Sequence, residues 1–509
     1  MSSTRKWQKF LPILMILLAV AARLIPGPRT IDDSFITFRY ARNILAGDGF
    51  VYNPGAQVLG TTTPLYTFSM VILGALTGGT NAPFPWLALI LNTIADSLTC
   101  VLLWQIGKCL SNERVGLAAG FTWAIAPHSV TFAIGGLETS VYVMLLTAAA
   151  YFYMTKNRTI ASLAASLAFT TRPDALILIG PFVIDRLVRA IHPELKEKLG
   201  RKEILALALP AVLWNGFAFF YFGSPVPHSV QAKLLVYHLN PADSFIRLIQ
   251  HYATPFQLHQ ILPTAIAIGI GLLIYPFLYL IGARNIWKIE KRLLPWLLYP
   301  WLYLATFAIS NPLIFRWYLT PPLPAYIFVI LYGLDNFAQT ISTRKPSLKK
   351  LLPASLMMLS VIITLPAWEV QPDHGPSRPA PKMAYIKLEE LYHQAAALVL
   401  PELQPGDVIA AGDVGVLGFD TNAQILDTVG LNSPESLDYY PVPVEKYITN
   451  YAIPTNLILD KKPDWIIVQE VYGRETFLKE AAFLDGYTQY GVLNNEIYGS
   501  KGMLIFKLN

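Results

Sequence analysis

Charge is scarce in this chain. Only 14% of its 509 residues are Asp, Glu, Lys or Arg, against 54% hydrophobic. A soluble domain carries about 25% charged residues, so the composition excludes an ordinary soluble globule. The mean hydropathy of +0.43 points to the bilayer instead. Cysteine is scarcer still. Cys100 and Cys109 lie on one apolar stretch, and on a helix they stand about 13 Å apart, beyond the reach of a disulfide. No thiol-based metal or redox motif can be built from two such residues. The sequence also has no internal repeat, no low-complexity tract and no P-loop for a nucleotide phosphate. The formal charge of +6 gives no nucleic-acid signal, because much of the Lys and Arg excess lies in short loops between apolar runs.

What is abundant is apolar sequence broken at regular intervals. A basic start with Arg5, Lys6 and Lys9 leads into an apolar run ending at Pro26, which reads as a retained signal anchor. Further apolar stretches cover 64–77, 84–107, 115–132, 138–155, 158–171, 176–190, 204–222, 261–282, 293–309, 317–336 and 349–366. Several are shorter than the roughly 20 residues of a full span, so tilted or broken segments are expected. Loops rich in Lys and Arg, at 108–114, 156–158, 186–202, 284–292 and 344–350, read as cytoplasmic. With the N-terminus and Lys108 both inside, only one of 64–77 and 84–107 crosses. The shorter, 64–77, is predicted to be re-entrant or interfacial. This parity gives about eleven crossings and an external C-terminus.

The expected architecture is a mostly α polytopic membrane protein with a C-terminal extracytoplasmic α/β domain. The transmembrane part covers 1–367, with a first external loop at 27–63. A Pro-rich linker occupies 368–382, and the α/β domain occupies 383–509, with strand-like segments at 407–419, 463–469 and 501–509. Helical candidates in that domain lie at 387–400 and 444–451.

The stretch 31–63 carries the most chemistry. It opens with Asp32 and Asp33 at the mouth of the first span, and adjacent carboxylates there are costly unless they serve a function. Asp32 and Asp33 are positioned to begin a helix running to about Leu45. Arg39 falls two turns along the face of Asp32, and Arg42 lies one turn further. A carboxylate near guanidinium groups suits an anionic substrate, the acid taking a proton while the arginines hold a phosphate. An N-cap with solvated charges is the simpler alternative. On the same side fall Glu138, the Arg172 and Asp174 of TRPD, the His228 and Lys233 of SPVPHSVQAK, and Arg316. His228 with Lys233 forms a cationic pair fit for a phosphate, though Lys233 is also placed to snorkel to the interface. Arg172 and Asp174 are spaced to pair with each other, Glu138 to cap a span, and Arg316 to anchor at the interface. Gly412-Asp413-Val414-Gly415 lies at a strand end and reads equally as a turn or as a sugar contact.

The blocks DDSFITFRYARNILAGDGFVYNPG, TTTPLYT, GLETS, TRPDA, FGSPVPHSVQAK and RWYLTPPLP, in that order, resemble GT-C glycosyltransferases. The similarity is greatest to the membrane arabinofuranosyltransferases of cell-wall arabinan synthesis, and it covers nearly the whole chain. The tail GD-G-LGF…LDTVGLNSPE resembles the extracytoplasmic domain of the same group. The resemblance implies a polyprenyl-phosphate sugar donor, a glycan or lipid-linked glycan acceptor, and Asp32 or Asp33 as catalytic base. One departure is the turn Gly60-Thr61-Thr62-Thr63-Pro64, where the common pattern carries an aromatic residue. The sugar, arabinofuranose or a hexose, therefore stays open.

The chemistry requires no cofactor. Polyprenyl phosphate is a good leaving group, so deprotonating the acceptor and stabilising the phosphate suffice, and direct displacement inverts the anomeric centre. A divalent cation (Mg, Mn or Ca) between carboxylate and phosphate is compatible with the hard oxygen ligands of Asp32 and Asp33. Two rival readings are a lipid-linked-sugar flippase and a non-catalytic glycan-binding subunit. The flippase requires polar groups buried mid-span, for which Asp96 and Asn92 are the best candidates, without an obvious partner in the sequence.

Overall fold

A computed structural model describes residues 10–192, 194–195, 197–342, 351–368 and 384–509. The basic N-terminal residues 1–9, the basic loop at 344–350 and the Pro-rich segment 371–382 lie outside the described residues. The chain divides into two compact units.

The first unit comprises Met1–Arg29, Ala88–Leu213 and Ala242–Pro381 and is built of helices. Five described helices of the chain are long and apolar enough to cross a membrane: Phe84–Cys109, Arg201–Phe222, Thr264–Ile289, Lys291–Ser310 and Arg316–Ser342. A sixth span results if Glu113–Ile125 and Pro127–Ile134 count as one, bent by 46°. The bend has a local cause. Pro127 forces Ala126 out of helical geometry, to φ −59° and ψ 126°. Shorter apolar helices are Leu11–Leu24, Pro64–Thr77, Thr139–Met154 and Leu351–Ala367. Among the described residues, five or six full-length spans fall short of the eleven crossings expected from loop charge.

In this unit Arg23 and Asp96, two fully buried charges, are paired with each other. Asp96, fully buried, accepts from Arg23 Nε at 2.8 Å, Ser140 Oγ at 2.8 Å and Trp123 Nε1 at 3.1 Å. Arg23 also donates from Nη1 to the carbonyls of Ala19 and Ala124, each at 2.9 Å, and from Nη2 to Ser129 Oγ. Asn92 donates to the carbonyls of Ala133 and Leu137. Asp96, which lacks an obvious partner in the sequence, thus has a cation from the first helix and two further donors. In an apolar medium such saturation is what makes a charge tolerable.

The second unit comprises Thr30–Leu87, Trp214–Pro241 and Lys382–Asn509. Its centre is a five-stranded sheet in the order β2-β1-β3-β5-β4. The strands are β1 (Val408–Ala411), β2 (Gln424–Asp427), β3 (Trp465–Gln469), β4 (Tyr487–Leu493) and β5 (Met503–Leu508). β1 runs parallel to β2 and β3, and β5 runs antiparallel to β3 and β4. The strand-like segment 407–419 proves to be a strand, a turn and a helix, Gly415–Thr421, because the Gly-Asp-Val-Gly run ends the strand. The helical segment expected at 444–451 shrinks to the turn Val444–Lys446, close behind Pro441 and Pro443. The expected helix at 387–400 is present as Ala384–Val399.

Candidate active site

The second unit holds the adjacent pair Asp32 and Asp33 of the first loop. Ile31 is extended, the helix Asp32–Ala46 begins immediately after it, and Gly47 ends it in left-handed geometry at φ 90°. Two carboxylates in a first turn suit the positive end of the helix dipole. Their surroundings differ. Asp32 is buried and accepts two backbone N–H bonds, from Gly415 to Oδ2 and from Val416 to Oδ1, both at 2.8 Å. Burial, with the charge of Asp413 next, still holds its carboxyl well above the usual carboxylate range. Asp33 is half-buried. Burial raises its pKa, and the ammonium of Lys233 pulls it back.

Asp413, at the end of β1, accepts a hydrogen bond from Tyr392 Oη at 2.9 Å. Burial pushes it up to about 6, with the charge of Asp33 adding to the effect and the Tyr392 bond opposing it. The unit therefore gathers Asp32, Asp33 and Asp413 with Lys233, a set in which burial raises the pKa of all three acids. Such a set is equipped to take a proton from a hydroxyl. Because the folded pKa of Asp413 exceeds the unfolded value, stability falls as pH rises from about 4 to about 6, and the cost persists above. Asp413→Asn keeps an acceptor for Tyr392 and removes that cost. It should stabilise the chain at pH 7.5 by up to about 3 kcal/mol and leave it nearly unchanged at pH 4, as read by thermal unfolding in detergent.

The other residues singled out in this unit bond as follows. Arg39 is fully buried; it donates from Nε to Tyr52 O at 2.8 Å and from Nη2 to Ala423 O at 2.7 Å and Asn53 Oδ1 at 3.2 Å. Arg42 donates to Phe419 O at 2.6 Å and Asn422 Oδ1 at 3.0 Å, and its guanidinium lies over the Phe419 ring. Asn53 pairs by its amide with both backbone groups of Ile425 in β2, at 2.8 and 3.1 Å. His228 N–H donates to Leu59 O at 2.8 Å, and its buried Nε2 has no hydrogen-bond partner among the described residues.

In the first unit Arg172 brings Glu138 and Asp174 together, at 3.1 and 2.9 Å. Its guanidinium lies against the rings of Tyr142 and Tyr318. Tyr303 Oη stands 3.3 Å from Asp174 and donates to Tyr318 O at 2.7 Å. Arg316 is exposed at the start of the turn Arg316–Leu319. Tyr142, Tyr303, Tyr392 and the His128–His251 pair, with ring centroids 4.6 Å apart, have no signal in the sequence, because single aromatic residues and histidines on apolar helices carry no spacing pattern. Among the described residues no group of three His, Cys, Asp or Glu side chains is arranged to hold a metal ion.

This geometry has counterparts in fold among solved structures. ArnT from Cupriavidus metallidurans, bound to undecaprenyl phosphate, aligns with a TM-score of 0.58 at 12% identity over 98% of both chains. The apo oligosaccharyltransferase of Archaeoglobus fulgidus aligns with a TM-score of 0.55 at 11% identity, over 98% of this chain and 74% of that one. The fold is that of the GT-C glycosyltransferases. In sequence the chain is similar to arabinofuranosyltransferases. It is 25% identical over 293 residues to a terminal β-(1→2)-arabinofuranosyltransferase of Corynebacterium glutamicum, covering 52% of this chain and 39% of that protein. It is 26% identical over 225 residues to the protein of the same description in Mycobacterium tuberculosis, covering 40% and 34%. The matched regions thus span less than two-fifths of the length of these relatives. Residues 384–505 match a family described as Domain of unknown function (DUF8728).

Proposed function

We propose that this chain is a plasma-membrane glycosyltransferase working on the outer face of the bilayer. It transfers a sugar, arabinofuranose or a hexose, from a polyprenyl-phosphate donor to a cell-envelope glycan or lipid-linked acceptor. Its N-terminus is cytoplasmic and its C-terminal domain extracytoplasmic. The observation that carries this reading is Asp33, half-buried beside Lys233 in a chain of GT-C fold, with its pKa raised and its carboxylate spared the two amides that hold Asp32.

In the reaction the acceptor oxygen attacks the anomeric carbon as its proton passes to Asp33. The bond from that carbon to the phosphate oxygen breaks, and the polyprenyl phosphate leaves with the electron pair. One displacement inverts the anomeric centre. Lys233 and the unpartnered Nε2 of His228 take up the negative charge that develops on the phosphate. Within the first unit, Glu138, Arg172 and Asp174 offer groups that can recognise hydroxyls, and Arg316 offers an exposed cation.

The test is transfer by the purified chain in lipid nanodiscs, offered polyprenyl-phosphoarabinofuranose and polyprenyl-phosphohexose. An inverted product from one of them is expected; a retained anomer, or no transfer from either, overturns the reading. Lys233→Ala should raise the donor KM at least about tenfold with a smaller change in kcat, because it removes a charge-assisted contact made in the ground state as well.

A further inference from the structure

The helix Gly415–Thr421 of the tail is held at both ends by one helix, Asp32–Ala46. At its N-terminal end Asp32 accepts the Gly415 and Val416 amides, which the helix itself leaves without partners. At its C-terminal end Arg42 takes the Phe419 carbonyl and the Asn422 side chain, and Arg39 takes the Ala423 carbonyl. Carboxyl oxygens accept at the positive end of the gripped helix and two cations donate at its negative end, an arrangement that suits its dipole. The fit is also steric. A Cβ built on Gly415 falls 1.8 Å from the backbone oxygen of Asp32, and one on Gly418 falls 2.1 Å from Arg39 Nη1. Alanine is the better helix former by about 1 kcal/mol, so glycine at these two places serves close approach and not the helix. Just beyond, Asn53 holds Ile425, and Tyr52 Oη donates to Val414 O at 2.6 Å.

We propose that Asp32, Arg39 and Arg42 are positioning residues, a clasp that fixes the tail against the acidic helix and so sets the geometry around Asp33. This inference rests on the reading of Asp33 as the base. It assigns the two members of the acidic pair different work: Asp32 holds, Asp33 reacts. It also makes the tail a working part of the site, because the turn that carries Asp413 and Val414 leads directly into the gripped helix.

Two measurements on the full chain in nanodiscs test it. The first needs no substrate. Hydrogen exchange at the Gly415 and Val416 amides should accelerate at least tenfold in Asp32→Ala and in Gly415→Ala, with the core strand β3 unaffected; unchanged exchange in both overturns the clasp. The second uses the transfer assay. Gly415→Ala and Arg42→Ala, neither of which touches the reacting groups, should lower kcat about tenfold or more with donor KM changed less than twofold and the pH profile in place. Arg42→Lys should recover part of the loss. Wild-type kcat in both of these variants, with Asp32→Asn as inactive as Asp33→Asn at every pH, makes Asp32 catalytic and overturns the assignment. Absence of transfer by the wild-type chain counts against the proposed function alone, since the exchange result stands apart from it.

Discussion

Asp33→Asn is expected to abolish sugar transfer, lowering kcat by about 10²–10⁴-fold, the usual worth of a positioned general base. The amide preserves volume and keeps one acceptor oxygen, so the helix start at Asp32 and the grip on Gly415 should remain, and expression and melting should match the wild type. The donor KM should change little, because the proton is taken in the transition state. The pH profile supplies a second check. Burial raises the Asp33 pKa, so the wild-type rate should climb as pH rises through a range above the ordinary carboxylate value. Asp413, at about 6, shares that site and extends the limb towards neutrality. An Asp33→Asn protein that still makes product at a tenth of the wild-type rate would falsify the assignment.

The largest expected effect on stability lies in the first unit. Asp96→Ala leaves the Arg23 guanidinium fully buried with its carboxylate gone, and removing one partner of a buried pair costs roughly 3–5 kcal/mol. The Ser140 and Trp123 donors lose their acceptor as well, which places the expected loss towards the upper end. The double variant Arg23→Met, Asp96→Leu removes both charges and should recover most of the loss, because a well-packed apolar pair costs no desolvation. Thermal unfolding in detergent decides the matter. If the single variant melts within a degree or two of the wild type, Arg23 has another way to be satisfied and the saturation argument fails.

Much of the plan was legible because it rests on repeated features. Apolar runs and their basic loops are spread over hundreds of residues, and each of the five long helices overlaps a run read from the sequence while extending beyond it at one end or both. Short strands with fully buried faces, such as Trp465–Gln469, announce a sheet by composition alone. The Asp32-Asp33 pair stood out because adjacent charges are rare beside a span. The partners of those charges were another matter. Asp32 meets Gly415, 383 positions away, and Arg23 meets Asp96, 73 positions away. No period or spacing encodes such a meeting. Arg39 and Arg42 were legible as helix-face cations, but their face is set against backbone carbonyls of the tail, which every residue possesses and none advertises.

Asn53 has one more effect, on how this chain behaves among its neighbours. β2 is one of the two edge strands of the sheet, and its Ile425 amide and carbonyl point at a side chain that imitates a peptide bond. A border strand with open backbone groups is a template for recruiting other chains. Here the first loop blocks that template at Ile425 with a residue that cannot propagate a ladder. Should the loop let go, the same contact would become a seam along which molecules join, so the lock on the tail also guards against clumping in a crowded membrane.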